Sequence, residues 1–159
     1  MKRRAYLSLG TNLGDRAANL DRAIAALQDH IGALIECSSY IITRPWGFSS
    51  DNAFFNAAAV FETRLTPSEL LRATQTIERQ LGRTAKSHAG IYSDRLIDID
   101  ILFLGNLVVD TPDLIIPHPL MAQRDFVLRP LAEVAPRKIH PLLHKTVATL
   151  LRTLVLTAP

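Results

Sequence analysis

The chain has 159 residues, 48% hydrophobic and 21% charged, which is enough apolar content for a single domain over 1–159 and too little length for a second one. One cysteine, Cys37, excludes an internal disulfide and a multi-cysteine metal cage and points to a reducing, cytoplasmic setting. The formal charge of +3 is dispersed, so a small anionic ligand is expected rather than nucleic acid, and no apolar run reaches signal-peptide or membrane length.

In chain order, Ala5 to Leu9 reads as a strand, and Gly10-Thr11-Asn12-Leu13-Gly14 as a turn into a helix with Leu20, Ile24, Leu27 and Ile31 at helical spacing, ended by Gly32. Ala33 to Thr43 and Phe54 to Thr63 read as two strands separated by a loop. Thr66-Pro67-Ser68-Glu69 is an N-cap, a first-turn proline and a capping-box glutamate, opening a helix that carries Leu70, Ile77 and Leu81 and ends at Gly82. A polar, basic loop from Arg83 to Arg95 leads into a β-branched strand, Leu96 to Phe103, and Gly105-Asn106 predicts a hairpin returning through Leu107 to Val109. Prolines at 112, 117, 119, 130, 136 and 141 break up the remainder before a closing helix from Val147 to Leu154. The order strand, helix, two strands, helix, strand predicts an α+β fold. It has a ferredoxin-like split βαβ core, a mixed or antiparallel sheet with helices packed on it.

Strand alternation in Leu96-Ile97-Asp98-Ile99-Asp100-Ile101 puts Asp98 and Asp100 on one face and the isoleucines on the other. Attachment points roughly 6.5 to 7 Å apart let both carboxylates converge on hard cations, and Mg²⁺ accompanying a nucleotide triphosphate fits best. For the pair alone, a strand with one wet face is an equal alternative. Arg83, Lys86 and Arg95 tip the balance towards phosphoryl chemistry, since guanidinium forks suit phosphate oxygens. Flanking prolines hold His118 extended in Ile116-Pro117-His118-Pro119, where a neutral imidazole can donate to phosphate and Arg124 can add charge. Phe54 and Asn56 share a strand face, an aromatic platform beside an amide that suits a flat, hydrogen-bonding heterocycle; Phe55 reads as core.

The stretches Leu9 to Arg16, Asp94 to Leu102 and Ile116 to Pro119, in that order, resemble the 6-hydroxymethyl-7,8-dihydropterin pyrophosphokinases of folate synthesis over nearly the whole chain. The resemblance implies transfer of pyrophosphate from ATP to the pterin hydroxymethyl group, with AMP leaving. It implies two Mg²⁺ ions on Asp98 and Asp100, with catalysis resting on those aspartates together with Arg83 and Arg95. ATP would be met by Gln75, Glu78, Arg83, Lys86, Arg95, Ile101, His118 and Arg124. The pterin would be met by Thr43, Arg44, Trp46, Phe54, Asn56, Tyr92, Asp98 and Phe126, with Phe54 and Phe126 on its two faces. Departures from the family pattern are a longer 83–95 loop, Ala85 where an arginine often stands and Tyr92 where a tryptophan often does. A monomer able to contact other folate-pathway enzymes is expected. The competing readings are a nucleotidyl transferase or cyclase with a similar aspartate pair, and a non-catalytic binding module of the same fold.

Overall fold

The computed structural model describes residues 1–43, 53–82 and 96–157. Within them the chain runs β1 (Arg3–Thr11), α1 (Arg16–His30), β2 (Gly32–Cys37), β3 (Ile41–Thr43), β4 (Phe54–Thr63) and α2 (Pro67–Gln80). It continues through β5 (Asp98–Leu104), β6 (Val109–Asp110), β7 (Ile115–Ile116), α3 (Asp125–Val134) and α4 (Val147–Thr157). The main sheet has the order β2-β4-β1-β5, with β3 also paired to β4, and each of these pairings is antiparallel. This is the α+β split βαβ arrangement expected from the order of elements.

Two apolar layers sandwich the sheet. Leu20, Ala23, Ile24 and Leu27 of α1 and Leu70 and Ile77 of α2 pack against Leu7, Leu9, Ala59, Phe61, Ile99 and Ile101 on one face. On the other face, Leu128 and Leu131 of α3 and Val147 and Leu150 of α4 meet Tyr6, Ala58, Val60, Leu102 and Phe103. The helices begin as their sequences dictate. The Asp15 carboxylate accepts from Ala18 N at 3.2 Å. Thr66 and Glu69 exchange the two capping-box hydrogen bonds at 3.2 and 2.9 Å, relieving the first-turn N–H groups of α2.

Several boundaries differ from expectation, each for a local reason. Gly10 and Thr11 are still strand, paired to Asn56 and Phe55, so the turn starts only at Asn12. Ile31, not Gly32, caps α1, and Gly32 opens β2 at φ +146°, where a Cβ would lie 1.8 Å from the Glu62 carbonyl oxygen. The 33–43 stretch divides into β2 and β3. Ser38 stays tied to Ala58 through both its N–H and its hydroxyl, and Ser39 is drawn away by the Glu133 carboxylate of α3. The Gly105-Asn106 hairpin does not return along β5. Instead β6 pairs with β7 in a separate two-stranded sheet, because the outer edge of β5 is already used: Leu102 O accepts from His118 N at 3.0 Å. Pro130 does not break the chain but sits inside α3. It deprives the Phe126 carbonyl of a helical donor, which burial of Val127, Leu128 and Leu131 around it offsets.

Candidate active site

The aspartate pair lies where its strand alternation puts it. Ile97, Ile99 and Ile101 are buried in the core beneath α1 and α2, whereas Asp98 and Asp100 are half-buried on the opposite face. The register extends that face sideways. Asp98 stands opposite Gly10 of β1, which stands opposite Asn56 of β4; one row further, Asp100, Ser8 and Ala58 align. Directly opposed residues project to the same side, so Asn56 and Asp98 face the same space across two strand spacings, about 10 Å.

Glycine at position 10 keeps that space open. A Cβ there would approach Asn56 Oδ1 to 3.2 Å and the Phe54 ring to 4.0 Å. The Asn56 side chain is buried, and its Nδ2 donates to Thr43 Oγ1 at 3.0 Å, which aims the carbonyl oxygen over Gly10. Thr43 is opposite Phe54, so Thr43, Phe54, Asn56, Gly10 and Asp98 share one face. At the start of α3, Phe126 is among the exposed large apolar side chains, with the Arg124 guanidinium carbon 5.8 Å from its ring centre.

A register shift between Tyr6 and Leu7 leaves Leu102 of β5 as an extra residue just beyond the aspartates. The Leu102 carbonyl holds His118 N, and the His118 ring then stands with Nε2 4.0 Å from Asp100 Oδ1. Nδ1 accepts from Leu120 N at 3.2 Å, so in the neutral ring the proton is on Nε2, turned towards the aspartates. Burial pushes the His118 pKa below its ordinary 6.5, Arg124 pushes it the same way, and Asp98 opposes both. The ring is therefore neutral at pH 7 and able to donate. Arg124→Gln removes a positive charge that disfavours the imidazolium, so the His118 pKa is expected to rise. Following the ring Cε1 proton by NMR across pH 4 to 8, in about half-unit steps, checks both directions; a wild-type value above 6.5, or no upward movement in the variant, would contradict this electrostatic account.

On the outer edge of β5 a cavity of about 320 Å³ opens between Leu71 and Thr74 of α2, the strand itself, and the Pro112–Ile115 segment. His118 and Asp100 line its end, so it joins the aspartate face. The buried Glu78 carboxylate accepts from Ile99 N at 2.8 Å, beneath the strand rather than among the aspartate side chains. Since Ile99 N–H points to that edge, strand alternation turns the N–H and C=O of Ile101 the same way, towards the cavity. Gln75, on α2, is exposed.

The structure thus brings Asp98, Asp100 and His118 together, with Thr43, Phe54 and Asn56 on the same face across β1, on β3 and β4. Arg44, Trp46, Arg83, Lys86, Tyr92 and Arg95 lie outside the described residues. Sequence reasoning missed Gly10 as a spacer and the Leu71, Thr74 and Pro112–Ile115 lining of the cavity. Gly10 was read as part of the turn after Leu9, and neither its role nor the cavity lining had a local signal, because both depend on where distant segments meet.

Comparison with known proteins gives the family. Residues 6–136 match the profile of the 7,8-dihydro-6-hydroxymethylpterin-pyrophosphokinase (HPPK) family. The chain is 50% identical over 137 residues to a 2-amino-4-hydroxy-6-hydroxymethyldihydropteridine pyrophosphokinase of Porphyromonas gingivalis, covering 86% of this chain and 92% of that one. It is 43% identical to the Bacillus subtilis protein of the same name, covering 82% and 77% of the two chains. A crystal structure of Plasmodium falciparum HPPK-DHPS shares the fold at TM-score 0.79 and 17% identity, spanning 96% of this chain and 45% of that one. With residues 6–136 matched by the profile and half of the 137 aligned residues identical to a relative of that name, the chain belongs to the 7,8-dihydro-6-hydroxymethylpterin-pyrophosphokinase family.

Proposed function

We propose that the row from Asn56 across Gly10 to Asp98 is where this chain sets a reduced pterin against ATP. The chain is an ATP-dependent pyrophosphokinase of folate biosynthesis, transferring pyrophosphate to the hydroxymethyl group of hydroxymethyldihydropterin. The observation that carries the site reading is the register itself: an orienting amide and a carboxylate pair face one space, kept clear by a glycine. In this reading Asn56 reads the edge of the heterocycle through its carbonyl oxygen, assisted by Thr43. Phe54 and Phe126 hold its two faces. Arg44, Trp46 and Tyr92 complete the pterin side, and Asp98 lies at its hydroxymethyl end.

ATP lies with its base in the cavity against the outward N–H and C=O of Ile101, near Gln75 and Glu78. Its phosphates run past His118 towards the aspartates. His118 donates from Nε2, Arg124 links that end to Phe126, and Arg83, Lys86 and Arg95 supply further positive charge. The donor set suits Mg²⁺: two carboxylates on alternate strand positions offer only oxygen. That leaves coordination positions for phosphate and water. Two Mg²⁺ ions held by Asp98 and Asp100 would neutralise phosphate charge and align the reacting oxygens. The bond formed joins the pterin hydroxyl oxygen to the β-phosphorus, and the bond broken releases AMP. The side chains position and neutralise, and none is modified covalently.

The proposal also places the enzyme as a single domain acting as a monomer in the cytoplasm, able to contact other folate-pathway enzymes. The lone Cys37, whose thiol pKa burial pushes up, has no disulfide to form within the chain. Asn56→Ala tests the site reading. It is expected to raise the KM for the pterin about tenfold or more while the KM for ATP stays within about twofold. An unchanged pterin KM would remove Asn56 from the pterin site. In parallel, activity abolished by a chelator and restored by Mg²⁺ is expected; full activity in the chelator would contradict the metal assignment.

A further inference from the structure

Arg16 is the first residue of α1, directly after the Asp15 cap, in a first turn with no acidic residue. A cation there is disfavoured by the helix dipole, so the helix itself gives no reason for it. The half-buried side chain instead turns back to the start of β4. Nη1 donates to the Ala53 carbonyl oxygen at 2.9 Å, and the guanidinium carbon stands 5.4 Å from the centre of the Phe55 ring.

Ala53 and Phe55 bracket Phe54 in the chain, and Asn56 follows. Phe55 packs on the core side of the sheet, while Phe54 and Asn56 face the Gly10 and Asp98 side. Arg16 therefore grips β4 from behind, at the two residues on either side of the ring that faces the site.

We infer that Arg16 is a positioning residue for the pterin, fixing the first residues of β4 so that the Phe54 ring and the Asn56 amide keep their relative placement. The inference rests on the reading that Phe54 and Asn56 bind the pterin. Arg16 touches no substrate in that reading and acts through the backbone. Without the tether, the start of β4 loses a hydrogen bond and a ring contact that add to its pairing with β1 and β3, and binding the pterin must re-order it. The ATP cavity is on the far edge of β5, with β1 between it and β4, and is spared.

The test measures KM for each substrate, kcat and Tm in Arg16→Ala, Arg16→Lys and Asn56→Ala. Arg16→Ala is expected to raise the pterin KM about tenfold with the ATP KM within about twofold. Arg16→Lys is expected to recover part of that loss, because an ammonium can keep the Ala53 hydrogen bond but cannot lay a planar face on Phe55. If Asn56→Ala raises the pterin KM and Arg16→Ala does not, the inference is overturned while the site reading stands. Equal rises in both KM values would reduce Arg16 to a general structural role and also overturn it. If Asn56→Ala leaves the pterin KM unchanged, the site reading falls and the inference falls with it. Should Arg16→Ala not fold, Arg16→Lys decides alone: a selective rise in pterin KM supports the inference, and wild-type values for both substrates overturn it.

Discussion

Asp98→Asn and Asp100→Asn are each expected to lower kcat on the order of 10³-fold, with the far-ultraviolet circular dichroism of a folded protein retained. Both side chains are half-buried on the sheet face away from α1 and α2, and Asn matches Asp in shape, so packing changes little. What is lost is negative charge on the strand positions that would hold Mg²⁺ against the phosphates, and an amide is a poor ligand for a hard cation. If the aspartates serve the metal, the residual rate should also need more Mg²⁺ to saturate. Single variants within about tenfold of wild type would remove the pair from the chemistry and favour a wet strand face.

Gly32→Val is expected to destabilise the fold by about 3 kcal/mol or more, read as a lower urea midpoint at unchanged slope. Two penalties add. The backbone at φ +146° suits glycine, and a Cβ would stand 1.8 Å from the Glu62 carbonyl oxygen, a main-chain atom of the central strand β4 that cannot swing aside. Gly82 is the informative contrast. It also has positive φ, +104°, but among the described residues its hypothetical Cβ meets the tip of the Leu96 side chain at 2.8 Å, which can rotate away. Gly82→Val is therefore expected to cost less than Gly32→Val, and equal losses would mean that the β2–β4 crossing is looser than described.

Elements whose signals are local were legible in the sequence. The capping box at Thr66 and Glu69 predicted the start of α2, Phe54–Thr63 was read as a strand with its observed bounds, and the alternation in 97–101 placed the aspartates opposite the isoleucines. Features that depend on partners distant in sequence were not. Nothing in Ala33 to Thr43 announces that Glu133 will draw Ser39 out of the strand. Nothing near Gly105 reveals that His118 has taken the outer carbonyl of Leu102 and sent β6 to pair with β7 instead. Pro130 misled for a related reason, because propensity argues against a helix that burial between sheet and α4 stabilises. The site followed the same division: Asp98, Asp100, Phe54 and Asn56 could be placed by period-two spacing, whereas the role of Gly10 emerged only once β4 and β5 were seen on either side of β1.

In the reaction, the β- and γ-phosphoryl groups of ATP move as a unit onto the pterin hydroxyl. Product analysis after incubation with ATP, Mg²⁺ and 6-hydroxymethyl-7,8-dihydropterin tests it most directly, with nucleotides separated and the pterin product weighed by mass spectrometry. AMP formed one for one with the pterin diphosphate is the predicted result. ADP with a pterin monophosphate, pyrophosphate release with a nucleotidylated pterin, or intact ATP beside a folded protein would contradict it.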